Sequence, residues 1–213
     1  MVQKLIDGIH RFRTEDFGAY ENLFKDLARR GQNPLTLLIA CSDSRVMPSL
    51  MTRADPGELF QVRNLGNIVP SPDLPVAVGS TAAAIEFAVE VLKVRDIVIC
   101  GHSHCGAMQA LLSGTPAGAS MPHLDRWLAH AAAVRLHVER HYAHLSDPVA
   151  RGNAAAEENV LQGVEHLRRY PAVARRLEAG TLSVHGWFLK IETAQLFGYD
   201  PLARQFVPLA PTP

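Results

Sequence analysis

Ile97-Val98-Ile99-Cys100-Gly101-His102-Ser103-His104-Cys105-Gly106-Ala107-Met108 is the stretch that decides the fold. A short apolar run rich in β-branched residues, Ile97 to Cys100, ends at Gly101. A helical pattern of Ala, Met and Leu starts at Cys105 and predicts a helix over 105–112. His102 and Cys105 therefore project from one strand-to-helix turn. In open parallel sheets, such turns at the carboxyl ends of strands are where ligands bind. An imidazole and a thiol at this spacing give two metal ligands, whereas a zinc site needs three or four.

The pattern upstream repeats the motif. Leu35 to Ala40 is a continuous apolar run after Asn33-Pro34, as expected of a strand buried on both faces, and it runs into Cys41-Ser42-Asp43-Ser44-Arg45. Leu59 to Val62 reads as a second strand, followed by Arg63 and Asn64 and a proline-rich loop over 70–75. Residues 76 to 93 read as a helix with Ile85, Ala88, Val89 and Leu92 on its core face. If the strand order is flavodoxin-like, Cys41 and His102 stand side by side at the ends of adjacent strands. Cys41, His102 and Cys105 then form the two-thiolate, one-imidazole set of a catalytic zinc with one position open. Cys105 opens a helix, where the dipole favours its thiolate form. Asp43 stands two residues past Cys41, where its carboxylate can meet zinc-bound water or zinc itself. Arg45 can hold that carboxylate ionised.

Outward from this centre, residues 3 to 30 read as two helices. Leu5, Ile9 and Phe12 line one face, and Phe17, Tyr20, Phe24 and Leu27 line another that starts after Thr14 as N-cap. This arm, 1–30, precedes the first strand, so a partner subunit is its expected packing surface. Ser113 to Pro122 reads as a loop and His123 to Leu145 as one long amphipathic helix. Asp147-Pro148 opens another helix carrying Val160, Leu161, Val164 and Leu167, and a short one runs from Pro171 to Gly180. Leu182 to Ile191 and Leu196 to Tyr199 read as strands, followed by a proline-rich tail. The whole, 1–213, reads as a single α/β domain. Its sheet is mainly parallel, of order 2-1-3-4 with an additional C-terminal edge strand, and helices flank it.

Composition narrows the function. Lys+Arg and Asp+Glu are equal at 21 each, with no basic run, which argues against nucleic acid or an anionic membrane as partner. No stretch reaches the roughly 20 apolar residues of a membrane span. Met1 to Arg13 has no apolar core of a signal peptide, so a cytoplasmic location is expected. Three cysteines, few and odd in number, suit a reducing compartment and thiols used for metal or catalysis. Cys100 reads as a core thiol and His104 as a solvated or supporting residue. The histidines of 123–144 read as a solvated helix face, and Arg63 as a brace for backbone near Asn64.

Several of these segments together resemble one family. Cys41-Ser42-Asp43-Ser44-Arg45, Gly101-His102-Ser103-His104-Cys105-Gly106, Glu58-Leu59-Phe60 with Arg63-Asn64, Glu158-Asn159-Val160-Leu161 and Val184-His185-Gly186-Trp187 are similar to the β-class carbonic anhydrases, in order and over nearly the whole chain. The resemblance implies a lyase with one zinc per chain that interconverts CO2 and bicarbonate by attack of zinc-bound hydroxide. Cys41, His102 and Cys105 would be the ligands and Asp43 and Arg45 the catalytic dyad. It also implies a substrate pocket of Gln32, Phe60, Leu65, Phe87 and Gly106, and self-association as a dimer or higher. Some relatives are switched off by bicarbonate in a second pocket built from a tryptophan, an arginine and a tyrosine. Here Leu38 and Leu189 stand at the tryptophan and tyrosine positions and Arg63 at the arginine, so that switch is not expected.

Charge counting sets one further expectation. Two thiolates cancel the charge of zinc, whereas three neutral imidazoles leave it at +2. A water in this site should be less acidic than in the unrelated three-histidine enzymes, where it titrates at about 7, and activity should rise toward alkaline pH. Rival readings are a thiol phosphatase, disfavoured because its loop needs a longer Cys-to-Arg spacing with glycines, and a non-catalytic structural zinc protein. A carbon disulfide or carbonyl sulfide hydrolase on the same fold is the nearest alternative.

Overall fold

The computed structural model describes residues 1–73, 79–114 and 120–210. Its centre is a six-stranded sheet of order β2-β1-β3-β4-β5-β6. The strands are β1 (Thr36–Cys41), β2 (Leu59–Asn64), β3 (Asp96–His102), β4 (Ser183–Lys190), β5 (Gln195–Asp200) and β6 (Gln205–Pro208). The first four run parallel, and β5 and β6 add antiparallel hairpins. The expected order 2-1-3-4 is therefore present, with two C-terminal strands where one was expected. β6 lies in the stretch read as tail, because Pro208 weakens a strand pattern that an edge position tolerates.

Alternation along β1 and β3 sorts the core onto two faces. Leu37, Ile39, Ile97 and Ile99 pack with Ile85, Ala88, Val89, Val160 and Leu167. Leu38, Ala40, Val98 and Cys100 point the other way, onto Val46 and Leu189. The helices that cover the first face are α4 (Ser80–Glu86), which a π-helical turn extends over Phe87–Val91, α8 (Pro148–Arg169) and α9 (Pro171–Glu178). Helix α8 contacts both β3 and β4, and this contact is close because glycines line it. A Cβ on Gly101 would stand 2.7 Å from Val160 Cγ2 and 3.1 Å from the Ala156 carbonyl oxygen, which belongs to rigid backbone. Gly101→Ala should therefore lower stability by about 1–3 kcal/mol, read as a lower denaturant midpoint at unchanged m-value.

Three helix boundaries differ from the sequence reading. The arm is continuous: α1 (Val2–Arg11) passes through a π-helical turn (Phe12–Asp16) into α2 (Phe17–Arg30). Thr14 is no cap; its hydroxyl donates to the carbonyls of His10 and Arg11 at 3.1 and 3.3 Å, inside the helix. The helix expected over 123–145 is broken into α6 (Pro122–Leu128), a 3-10 turn (Ala129–Ala131) and α7 (Ala132–His141). The helix expected from 76 begins at Ser80, and 74–78 lie outside the described residues. So do 115–119 of the expected 113–122 loop and 211–213 of the tail. Two short helices complete the chain, α3 (Pro48–Thr52), which no periodicity announced, and α5 (Gly106–Ser113). Among the described residues, no helix is long and apolar enough to cross a membrane.

Candidate metal centre

Parallel pairing of β1 with β3 matches Ala40 to Cys100, so Cys41 and His102 leave neighbouring strands at the same end of the sheet. The chain then turns at His104, whose φ of +55° is left-handed, and Cys105 becomes the residue before α5. This brings the two Sγ atoms and a ring nitrogen of His102 within 4.8 Å of one another. All three residues are buried: Cys41 is 4%, Cys105 1% and His102 0% exposed. His102 Nδ1 lies 2.8 Å from the Ser103 carbonyl oxygen, which can only accept, so Nδ1 carries the proton. Nε2 is left as a bare lone pair, buried without a partner. An orphaned acceptor facing two thiols is costly unless something electrophilic sits between them. Two soft sulfurs and one imidazole are the donor set that suits zinc with an open fourth position.

The two thiols behave as a coupled pair. Cys105 hydrogen-bonds Cys41, which pulls the Cys41 thiol well below its ordinary value. The backbone N–H groups of Asp43 and Gly66 add to that. Cys105 is pushed up by Cys41 and by burial, and the N–H groups of Met108 and Ala107 offset this only in part. The helix N-terminus was expected to favour the Cys105 thiolate. The neighbouring sulfur overrides it, because two anions so close in a buried site cannot both form without a cation.

Asp43 and Arg45 lie beside this group. Arg45 Nε and Nη2 donate to Asp43 Oδ1 and Oδ2 at 2.9 and 2.8 Å, and the Arg45 N–H donates to Oδ1 at 3.0 Å. The bidentate guanidinium holds the Asp43 carboxyl far below the usual carboxylate range. Arg45 also donates to the His104 carbonyl at 3.1 Å, and the His104 N–H donates to Asn153 Oδ1 at 2.9 Å. The strained turn is thus tied to both the dyad and α8. Arg63 spends Nε and Nη2 on the Cys41 carbonyl, and Nη2 also on that of Asp43. It braces the backbone at the end of β1, beside Asn64, the register partner of Cys41.

The whole-chain comparisons agree with this geometry. A family model described as carbonic anhydrase matches residues 36–196. A carbonic anhydrase of Pseudomonas aeruginosa is 45% identical over 212 residues, covering 100% of this chain and 94% of the relative. One from Synechocystis is 41% identical over 206 residues, covering 97% and 74%. The solved structure of a β-carbonic anhydrase called CcaA superposes with a TM-score of 0.93 at 40% identity, over 98% of this chain and 99% of that one. The chain belongs to the β-class carbonic anhydrases. It is accordingly an enzyme of the lyase class. A structure reported as one of two tetrameric β-carbonic anhydrases from Sordaria macrospora superposes at TM-score 0.82 and 31% identity, over 92% and 95%.

The remaining expected pocket residues of this carbonic anhydrase separate into two groups. Leu65 follows Asn64, the register partner of Cys41, and Gly106 follows Cys105, so both border the cluster. Phe60 pairs with Leu37, four residues back along β1, which is about 13 Å from Cys41. Phe87 packs against Phe60 in a tilted pair, with ring centroids 5.8 Å apart. Gln32 precedes β1 altogether and lies past its far end. Within one chain, Gln32, Phe60 and Phe87 therefore do not reach the Cys41 cluster. Sequence reading gave no site role to Asn153, to Trp127, read only as part of the apolar stripe of 123–145, or to Asn159. Only Asn159 carried a signal, as part of the Glu158-Asn159-Val160-Leu161 segment.

Proposed function

We propose that this chain catalyses the zinc-dependent, reversible hydration of CO2 to bicarbonate and a proton, with one zinc per chain. The observation that carries the reading is the bare Nε2 of His102 facing two buried thiols, with an ionised carboxylate beside them. When bound, zinc supplies a Lewis acid that lowers the pKa of a water in the fourth position. Cys41, Cys105 and His102 Nε2 would hold it, and Ser103, through its carbonyl, fixes the ring that presents Nε2. Asp43, kept an acceptor by Arg45, orients the attacking water by taking its hydrogen bond. Leu65 offers an apolar wall for CO2 at the mouth of the site. The test is stopped-flow hydration by zinc-loaded protein, with carbon disulfide and carbonyl sulfide assayed in parallel. Turnover of a sulfur substrate without CO2 hydration would favour the hydrolase alternative instead. All three cysteines are free, as suits a reducing, cytoplasmic setting.

The site is completed by a second copy of the chain. Support comes from Gln32, Phe60 and Phe87 lying at the wrong end of their own sheet, and from the arm. No residue of α1 or α2 is buried, and Leu5, Ile9 and Phe12 stand exposed. We expect the arm to pack on the partner and each site to take Gln32 from the other subunit. Mixing Cys41→Ala with Gln32→Ala chains should then restore activity, since hetero-oligomers contain one intact site. Mixtures no more active than the sum of the two parents would remove the shared site.

The bicarbonate-closed state is not expected. Leu38 and Leu189 are each 3% exposed within one apolar cluster and offer an anion no donor, while Arg63 is engaged with backbone carbonyls. Crystals soaked in bicarbonate at neutral pH should show Asp43 still on Arg45. Anion density at Arg63 with Asp43 turned onto the metal would contradict this.

A further inference from the structure

The 3-10 turn Leu65–Asn67 lies over the metal cluster and is clamped from two sides. The Gly66 N–H donates to Cys41 Sγ at 3.3 Å. That N–H belongs to the same peptide unit as the Leu65 carbonyl, which accepts from Trp127 Nε1 at 2.7 Å. The next peptide unit is held as well: the Gly66 carbonyl accepts from Asn159 Nδ2 at 2.8 Å, and Asn159 is 3% exposed. Gly66 itself has a φ of +73°, and a Cβ there would stand 2.9 Å from Met108 Cε and 3.1 Å from Ala107 Cβ. Only glycine can lie this close and in this conformation.

We propose that Trp127 and Asn159 are positioning residues for the Cys41 thiolate. They aim the Leu65–Gly66 peptide at Cys41 Sγ, and Trp127 also polarises it. The inference rests on the zinc reading above. A hydrogen bond donated to a ligating sulfur withdraws electron density from it, and such bonds tune metal–thiolate centres. An indole donating to the carbonyl end of a peptide strengthens the bond made at its N–H end. The consequence bears on the charge problem of this site. Two thiolates leave the metal nearly neutral, and weakening the donation of one returns electrophilicity to it. The device acts from α6 and α8, outside the sequence segments that supply the ligands.

The test uses the full chain loaded with Co2+ in place of zinc, read by the thiolate-to-cobalt charge-transfer band. Trp127→Phe keeps the aromatic ring and loses the donor. Its band should move to longer wavelength, because a sulfur with less hydrogen bonding gives up its electrons more readily. Asn159→Leu, similar in size, should move it the same way and serves if Trp127→Phe does not fold. Activity should fall about tenfold in either variant, the lower end of what outer hydrogen-bond partners of metal ligands contribute. Trp187→Phe, the same chemical change on β4, should leave the band in place. A band unmoved, or moved to shorter wavelength, in a folded Trp127→Phe protein would overturn the inference. Absence of any thiolate charge-transfer band in the wild-type cobalt protein would instead sink the underlying metal-site reading.

Discussion

Cys41→Ala protein is expected to purify with little zinc and to hydrate CO2 at the buffer rate. The size of the effect follows from the ligand count. A structural zinc site bound by four side chains is worth roughly 10–16 kcal/mol, so each ligand is worth up to about 4 kcal/mol. That corresponds to a loss on the order of 10³-fold in metal affinity. His102→Ala and Cys105→Ala should behave alike. The two cysteine variants also relieve a local problem: without the second sulfur the remaining thiol no longer shares its proton, and it becomes an ordinary buried thiol. The apo fold should therefore survive, since β1 and β3 are held by apolar neighbours on both faces. Zinc per chain by elemental analysis, together with a melting curve in the presence and absence of added zinc, reads both points. Wild-type melting should rise with zinc by mass action and the variants' should not. A Cys41→Ala protein with full zinc and full turnover would remove Cys41 from the site.

Why these residues were legible in the sequence, and others were not, has a physical cause. Cys41 and His102 each end a continuous apolar run, and two parallel strands carry their ends to one edge of the sheet whatever their loops do. The convergence therefore needed only strand order. Cys105 followed from the turn to α5. The break between α6 and α7 left no comparable trace, since the apolar stripe Leu124, Trp127, Leu128, Ala131, Val134 continues across it. A 3-10 turn there changes direction without interrupting the pattern. Thr14 misled because a hydroxyl can cap a helix or bond back into one, and only the chain beyond it decides. The clamp by Trp127 and Asn159 was out of reach for a different reason. Their partners, the carbonyls of Leu65 and Gly66, lie 62 and 93 residues away and are backbone atoms, which no side-chain motif encodes. Phe60 and Phe87 were named only through the family resemblance, and no local pattern told that within their own chain they lie at the far end of the sheet from Cys41.

Arg45→Ala and Asp43→Asn should each retain zinc and lose about 10²–10⁴ of the hydration rate, yet for opposite reasons. Asp43→Asn keeps the shape of the side chain but places an amide NH2 where a carboxylate oxygen received a guanidinium N–H. Two donors then face each other, Arg45 is released to solvent, and the amide can donate to the attacking water where the carboxylate only accepted. Arg45→Ala leaves the carboxylate intact and frees it from its bidentate hold. An unrestrained carboxylate next to a three-ligand zinc is a ready fourth ligand, so this variant should hold zinc more tightly than wild type while excluding water. Arg45→Lys should resemble Arg45→Ala, because a point ammonium cannot make two parallel bonds. The pH dependence separates the dyad from other groups. Arg45 depresses the Asp43 pKa, so the pair's contribution is present above the ordinary carboxylate value of about 3.9. It is lost only as pH falls through the depressed value below that. An acid limb in the wild-type rate between pH 5 and 8 consequently does not report protonation of Asp43. It should persist at the same midpoint in Asp43→Asn at a much lower plateau. Zinc content, chelator-driven zinc loss and stopped-flow pH profiles on the three variants distinguish these outcomes. If Asp43→Asn and Arg45→Ala both turned over within a few-fold of wild type, the dyad would be a structural brace for the His104 turn and no part of the reaction.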